Sequence, residues 1–243
     1  MSSKKIDIRS LKKNELIKFL NDFNYEPYRA QQILSRVNSQ QIDSFEKITN
    51  IPKDLIQLLD ENFFLSNTLI HQFQKSSDLT IKFSIKLHDN LIIEAVLIPT
   101  EKRITACVSS QVGCSLDCNF CATSRLKRIR NLESYEIYDQ IMLLNNESLK
   151  IFSKPISNIV FMGMGEPLLN YNNVIDSIDL ITGNQGLGIS KKKITLSTSG
   201  IYKMIKKMAD DNVKFNLAIS LHSAIEETRN QIMPFSKSFP LEK

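Results

Sequence analysis

Glycine is scarce in this 243-residue sequence, and none of its seven glycines lies between residues 1 and 112. All seven lie between Gly113 and Gly200. Glycine is the residue that permits sharp turns and close approach of the backbone to a ligand. We therefore expect the functional site in the second part of the chain, and interpret the part before Gly113 as scaffold.

The sequence also has no apolar run of the roughly 20 residues that would span a bilayer. Its opening segment, from Met1 to Leu20, is charged and does not resemble a secretory signal. These absences predict a cytoplasmic protein that does not associate with membranes. The hydrophobic content of 42% is enough for a folded core and argues against wholesale disorder.

The charge is only moderately unbalanced, with a formal net charge of +5 and a sequence pI near 8.9. An excess of this size favours polyanionic partners, but it is common in proteins that never bind nucleic acid. Charge alone therefore does not assign a partner.

The first part of the chain carries helical periodicity. Leu16, Leu20 and Phe23 recur at helical spacing, a second amphipathic segment follows Pro27, and a third helix is predicted to begin near Pro52. The segment is therefore predicted to be mainly helical.

A β-hairpin is predicted next. Residues 80–87 alternate polar and apolar side chains, residues 91–98 form an apolar run, and Asp89-Asn90 between them favours a turn. We predict a small N-terminal domain of helices and hairpin over residues 1–99.

From residue 100 to 243, β-rich runs alternate with amphipathic helices. The predicted strands are 104–109, 158–162, 193–197 and 215–220. The connecting helices pass through Ile141, Ile178 and Met208, and a last helix is predicted to begin near Glu226. This alternation predicts an α/β fold with a parallel sheet or barrel, whose ligands bind at the carboxyl ends of the strands.

All four cysteines lie in the short stretch from Cys107 to Cys121, which favours a metal or redox site in a reducing compartment over a disulfide framework. Cys114, Cys118 and Cys121 have the spacing C-x3-C-x2-C. Three thiolates leave one iron of a [4Fe-4S] cluster open to a small molecule.

Zinc is the alternative to this cluster, but structural zinc sites normally have a fourth Cys or His ligand. Candidate fourth ligands are present, yet none has the spacing of a zinc ribbon; they are Cys107, His71, His88 and His222. The cysteine pattern therefore favours the cluster and leaves zinc as the second interpretation.

The cysteine spacing, with Phe120 before the last cysteine, resembles that of the radical S-adenosylmethionine (SAM) superfamily. Four longer stretches resemble the RlmN-type adenine-C2 RNA methyltransferases, in the order of that family: 105–123, 163–170, 196–200 and 218–222. The Tyr28–Gln32 segment resembles them too. The resemblance implies a partial (βα)6 radical-SAM barrel over residues 100–243, preceded by the small helical domain with its hairpin.

The resemblance also implies the cofactors and the residues that bind them. One [4Fe-4S] cluster per chain is expected on Cys114, Cys118 and Cys121, with SAM chelating the open iron. The residues expected to line the SAM site are Gly165, Glu166, Ser197, Ser220, Leu221 and His222. Taken alone, such residues would more simply be turn formers and helix caps.

Two further residues match positions with catalytic roles in the family. The resemblance implies that Cys107 is redox-active and forms a transient disulfide with a methyl-carrying C-terminal cysteine, and that Glu94 accepts a proton. Without the resemblance, Glu94 would be interpreted as an outward-facing strand residue. No cysteine follows Cys121. We therefore interpret the chain as truncated and do not expect it alone to complete the two-step mechanism.

Basic runs and the family resemblance together predict RNA partners. Arg125 to Arg130 and Lys191 to Lys193 are rich in positive charge, as binding to RNA phosphates requires. The resemblance implies methylation of adenosine C2 in 23S ribosomal RNA and in transfer RNA, by a monomer with an electron donor such as flavodoxin.

Three alternatives remain open from the sequence. Methylation could occur at adenine C8, the chain could cleave SAM without methylating RNA, or it could be a zinc-containing, non-catalytic RNA-binding protein. Each predicts a different product or metal content.

Overall fold

The computed structural model describes residues 5–38, 42–183 and 186–242, and its first part is a helical module. The module contains the helices α1 (Lys13–Asp22), α2 (Tyr28–Val37) and α3 (Lys53–Asn62). The short strands β1 (Ile6–Asp7) and β2 (Phe63–Phe64) pair in parallel and join its two ends.

The three predicted helices are confirmed, and each has one buried face. Leu16 and Leu20 of α1 are fully buried, as are Ile33 of α2 and Leu59 of α3. Phe23 lies just after α1 and is 48% exposed, so the predicted apolar stripe ends at Leu20.

A seven-stranded sheet forms the centre of the molecule. In spatial order its strands are β11 (Asn216–Ile219), β10 (Ile194–Thr198), β9 (Asn158–Phe161), β6 (Ile104–Cys107), β5 (Ile92–Pro99), β4 (Ile81–Lys86) and β3 (Leu69–Lys75). The strands from β3 to β6 are antiparallel neighbours, whereas β6, β9, β10 and β11 run parallel. A separate two-stranded sheet pairs β7 (Gln111–Val112) with β8 (Arg130–Asn131).

The parallel strands are connected by helices that cover the sheet, because a parallel pair needs a long crossover. The connecting helices are α4 (Ser134–Phe152), α5 (Tyr171–Thr182) and α6 (Tyr202–Asp210), and α7 (Glu226–Ile232) follows β11. The predicted alternation of strands and helices is confirmed, and with it the α/β class. None of the helices in the described ranges is both long and apolar enough to cross a membrane.

The predicted hairpin is confirmed as β4 and β5, which pair antiparallel around Asn90 at φ +67°. Through β5 and β6 the hairpin continues into the large sheet. The buried residues of the helical module and those of the sheet form separate hydrophobic cores. In the sequence, the boundary between the two cores lies between Leu65 and Ile70. The assignment of residues 1–99 to one domain stays a prediction.

A buried ion-pair network joins the helical module to the sheet domain. Arg9 Nη1 lies 3.0 Å from both carboxylate oxygens of Asp139 on α4, and Arg9 Nη2 donates to Ser66 and Asp7. The Arg9 guanidinium also lies 4.6 Å from the ring centre of Tyr135. These contacts fix the module against α4.

Candidate functional site

The candidate site is a cavity of about 300 Å³ at the carboxyl ends of β9, β10 and β11. Its wall includes the three predicted cluster cysteines and five of the six predicted cofactor residues: Cys114, Cys118, Cys121, Gly165, Glu166, Ser197, Ser220 and His222. The sixth, Leu221, does not line this cavity and is 42% exposed.

The cysteine loop is held closed at its base. It leaves β7 and returns to the antiparallel partner β8, and an isolated parallel bridge pairs Cys114 with Lys127. Gly113 (φ +75°) is needed there, because a Cβ would lie 2.3 Å from the Lys127 carbonyl oxygen. Within the loop, the Ser124 hydroxyl donates to the carbonyls of Cys118 and Cys121. The backbone therefore holds the three cysteines on one short loop.

All three cysteines are free thiols in the structure. Burial raises the pKa of Cys114 and raises that of Cys118 to about 11, and the neighbouring cysteines and Glu166 add to the rise. Negative charge on several of these sulfurs is therefore unfavourable unless a cation is bound among them.

The fit of this loop to a cluster rests on donor chemistry and on position. Three sulfur donors face the same cavity, which is the ligand type that iron–sulfur clusters use. In the described part of the chain, no three His, Cys, Asp or Glu side chains are already gathered tightly enough to hold a single metal ion.

The turn after β9 packs directly against the segment after β6. Gly163 donates to the Val108 carbonyl, and the Met164 N–H donates to the Ser109 hydroxyl at 2.8 Å. Gly165 has φ +96°, and a Cβ there would lie 2.5 Å from Cβ of Gln111. Glycine is therefore required if the turn is to reach the cavity wall.

Glu166 connects the turn after β9 to the turn after β10. Its side chain is buried, and its two oxygens accept from Leu168 N–H at 3.1 Å and from Ser199 N–H at 2.8 Å. Burial raises the pKa of Glu166, while these backbone donors act in the opposite direction. Glu166 thus has a structural role in addition to its place in the cavity wall.

Hydroxyl and aromatic groups complete the cavity. The hydroxyls of Ser197 and Ser220 lie 3.4 Å apart. The rings of His222 and Phe120 have centroids 4.0 Å apart with 38° between their planes, and Phe120 is 53% exposed. His222 has φ +59°, which turns the chain away from β11. The site therefore offers hydrogen-bonding groups inside and an aromatic pair beside them.

The two predicted catalytic residues lie outside the wall of this cavity. Glu94 is on the face of the hairpin and forms an ion pair with Lys82 at 2.8 Å. Cys107 is a buried residue of β6, and burial raises its pKa to about 11. The catalytic roles of both residues stay predictions.

Three buried polar side chains that support the site were not predicted. Gln111 accepts from the N–H of Glu166, Asn170 donates to the carbonyls after β6 and before α4, and Ser109 holds the turn after β9. The signal in the sequence is a polar Ser-Ser-Gln stretch directly after an apolar strand. The supporting role of this stretch could not be predicted, because it depends on which turns of the fold pack against it.

The predicted basic runs are only partly available for a partner. Arg130 forms ion pairs with Asp89 and Glu136, both at 2.7 Å, and Lys191 pairs with Asp179. The exposed positive charges beside the cysteine loop are Arg125, Lys127 and Arg128.

Comparison with known families gives two matches that together cover most of the chain. The radical SAM superfamily matches residues 108–239, and the ribosomal RNA large subunit methyltransferase N-terminal domain matches residues 6–65. The second match coincides with the helical module, and the first spans the cysteine loop and the parallel strands.

Individual relatives agree with both matches. A probable dual-specificity RNA methyltransferase RlmN of Flavobacterium psychrophilum is 59% identical over 99% of this chain and 70% of its own length. The dual-specificity RNA methyltransferase RlmN of Syntrophus aciditrophicus is 41% identical over 100% of this chain and 69% of its own. A crystal structure of a radical SAM methyltransferase from Sphaerobacter thermophilus superposes with a TM-score of 0.84 at 30% identity, covering 98% of this chain and 70% of that one.

Proposed function

Because this chain belongs to the RlmN-type radical SAM RNA methyltransferases, we propose that it acts on C2 of adenosine in 23S ribosomal RNA and in transfer RNA. One observation carries the proposal. The three cysteines of the C-x3-C-x2-C loop share a single cavity with the Gly-x-Gly-Glu turn and with hydroxyl groups at the strand ends. A cluster ligand set and a polar cofactor site are therefore adjacent.

In this proposal Cys114, Cys118 and Cys121 hold one [4Fe-4S] cluster. When bound, the cluster supplies the electron that cleaves SAM to a 5′-deoxyadenosyl radical. The loop's contribution is to hold three sulfur donors on one side of the cavity and to leave the opposite wall free for the small molecule.

The opposite wall binds SAM through polar groups at three strand ends. Ser197, Ser220 and His222 can hydrogen-bond ribose and carboxylate oxygens. The turn through Gly165 presents backbone polar groups to the ligand's ammonium, and Glu166 adds negative charge nearby. Leu221 is proposed to be an apolar neighbour of this wall, and its side chain is exposed in the structure.

Cys107 and Glu94 are proposed to serve the later steps of the reaction. By family resemblance, Cys107 pairs with the methyl-carrying cysteine and Glu94 accepts a proton. The methyl-carrying cysteine has no counterpart among the four cysteines of this sequence.

The RNA is proposed to approach along the exposed basic segment after the cysteine loop. Arg125, Lys127 and Arg128 are exposed there and can pair with phosphates. A base must leave its stack to reach a radical generated inside a cavity, so an adenosine in a loop or single strand is the expected target. An electron donor such as flavodoxin completes the system.

The test is anaerobic incubation of the reconstituted chain with SAM, a reductant and ribosomal or transfer RNA. We expect 5′-deoxyadenosine from the natural chain and none from Cys118→Ser, which lacks one cluster ligand. Any methylated adenosine, mapped by mass spectrometry, is expected to be 2-methyladenosine. Formation of 8-methyladenosine, or no SAM cleavage by protein that contains the cluster, would contradict the proposal.

A further inference from the structure

We propose that Arg229 is a positioning residue that, through helix α7, holds the cysteine loop and the turn after β10 in a fixed relation to each other. The inference rests on the proposed function, because both segments form the wall of the proposed cofactor site. Arg229 itself is not part of that wall, so it acts through other residues.

Arg229 is buried, with 2% of its surface exposed, and it binds backbone rather than side chains. Its Nη2 donates to the Ser199 carbonyl at 2.9 Å, and its Nη1 donates to the Phe239 carbonyl at 3.2 Å. A Cβ at Gly200 would lie 3.2 Å from Nη2. Glycine at position 200 therefore gives the guanidinium room beside the turn.

Ser199 is held at both of its backbone groups. Its carbonyl accepts from Arg229, and its N–H donates to Glu166 at 2.8 Å. The neighbouring residues Ser197 and Thr198 line the cavity. A shift of Arg229 would therefore be transmitted to the cofactor end of β10 and to the turn that carries Glu166.

The other end of α7 is attached to the cysteine loop. The backbone N–H of Asn119, which lies between Cys118 and Cys121, donates to the Ile232 carbonyl at 2.9 Å. The Asn119 side chain donates to the Gln231 carbonyl at 2.6 Å. Met233, fully buried, packs in one cluster with Leu116 and Cys118.

The charge of Arg229 makes this arrangement specific. Within the described ranges no carboxylate lies in ion-pair contact with Arg229, and its Nε has no hydrogen-bond partner. Burying a cation without hydrogen bonds costs free energy. The Arg229 guanidinium therefore favours a geometry in which the two carbonyl oxygens stay within hydrogen-bond distance. An apolar side chain could fill the same space, but it would form no hydrogen bond to the Ser199 carbonyl and so would not fix Ser199.

The first test is amide hydrogen exchange of the cofactor-free chain. It measures whether Arg229 couples the cysteine loop to the turn after β10 when neither cluster nor SAM is present. In Arg229→Met we expect the amides of Ser199 and Asn119 to exchange about tenfold faster. The Ser199 amide bonds to Glu166 and loses the Arg229 contact that fixes its carbonyl, and the Asn119 amide bonds directly to the Ile232 carbonyl of α7. Arg103→Met is the matched control, since Arg103 is exposed and lies outside the cavity wall. It should leave both amides unchanged.

The second test measures SAM affinity on proteins reconstituted to equal iron content. We expect a Kd about tenfold weaker for Arg229→Met, with substantial recovery in Arg229→Lys, because an ammonium can still reach the Ser199 carbonyl. A residue that only supported the fold would change iron content or folded fraction and leave the affinity of the folded, loaded protein unchanged.

The outcomes separate this inference from the proposed function. Unchanged exchange at Asn119 in Arg229→Met, or unchanged SAM affinity at equal iron content, overturns the positioning role. If the natural chain binds no SAM, the proposed function fails, while the exchange experiment still decides the coupling. Should Arg229→Met not fold, Asn119→Ala replaces it, because this variant removes only the side-chain bond to α7; unchanged exchange at Ser199 would then overturn the inference.

Discussion

The four cysteines are close together in sequence, but the structure gives them different surroundings. Cys114, Cys118 and Cys121 line one cavity, whereas Cys107 is buried in β6, outside that cavity's wall. The spacing of the first three was enough to predict that they act together, because three residues on one short loop cannot lie far apart. The reactivity of Cys107 depends instead on burial, which short-range spacing does not reveal.

Burial should make Cys107 slow to react with alkylating reagents. With a pKa of about 11, about 0.1% of the thiol is ionised at pH 8, against roughly a quarter of an ordinary cysteine. We expect iodoacetamide to modify it at least about 100-fold more slowly than glutathione, with a rate that rises about tenfold per pH unit between pH 7 and 9.

Peptide mass spectrometry of the folded and the urea-unfolded chain measures this rate, and Cys107→Ala identifies the peptide. Modification of folded protein at the glutathione rate at pH 7.5 would show that the thiol is exposed or its pKa is not raised.

At the scale of elements, the sequence predicted the helices α1 to α7 and six of the seven strands of the large sheet. The strands β4 and β5 and the four parallel strands lie within two residues of their predicted limits. The strand β3 was missed because its side chains are mostly exposed at the sheet edge, with Leu69 61% and Phe73 63% exposed. Such a strand is specified by backbone pairing with β4 and carries no alternating pattern.

The predicted site residues also divide into a group that the structure brings together and a group that lies outside the cavity wall. Residues at the carboxyl ends of parallel strands came together, since those ends share one edge of the sheet. Cys107 ends the parallel strand β6 and Glu94 lies on the antiparallel strand β5, yet neither residue lines the cavity. Whether such a residue reaches the cavity depends on the register of its strand and on the face of the sheet, which the resemblance alone did not give.

The turn after β9 should tolerate no side chain at Gly165. Alanine there would combine positive φ, costing about 1–2 kcal/mol, with a clash against Gln111 that adds about 1–3 kcal/mol. We expect Gly165→Ala to lower the free energy of unfolding by at least about 2 kcal/mol in urea denaturation.

Gly188→Ala is the matched control for this turn. Gly188 also has positive φ, but a Cβ there meets nothing within 4 Å. Its substitution should cost only about 1 kcal/mol. Equal losses for the two variants would mean that the packing against Gln111 contributes nothing.

At the scale of the whole molecule, Arg9 connects the hydrophobic core of the helical module to that of the sheet domain. Its contacts with Asp139 and Asp7 are buried, with side chains at most 5% exposed. Removing one partner of a buried pair leaves an uncompensated charge and costs about 3–5 kcal/mol. We expect Arg9→Met to lower the free energy of unfolding by this amount, or to unfold the helical module separately.

Lys47→Met is the control for the loss of an ion pair. Lys47 and Asp43 form an exposed pair, with side chains 52% and 58% exposed, so its loss should change stability far less than the loss of the buried Arg9 network. Circular dichroism during urea titration measures both variants. If Arg9→Met lost no more than Lys47→Met, the module would not be held by this network.

The central claim is that three cysteines of one loop hold an iron–sulfur cluster beside the SAM cavity. Its most direct test is to measure the iron, sulfide and zinc content of the chain after purification and reconstitution without oxygen. The absorption spectrum of the same sample should show a band near roughly 400 nm, as expected for a cluster with cysteine ligands. We predict about four irons and four sulfides per chain, retained in Cys107→Ser and lost in Cys118→Ser. Stoichiometric zinc without iron, or a cluster that survives in Cys118→Ser, would contradict the account.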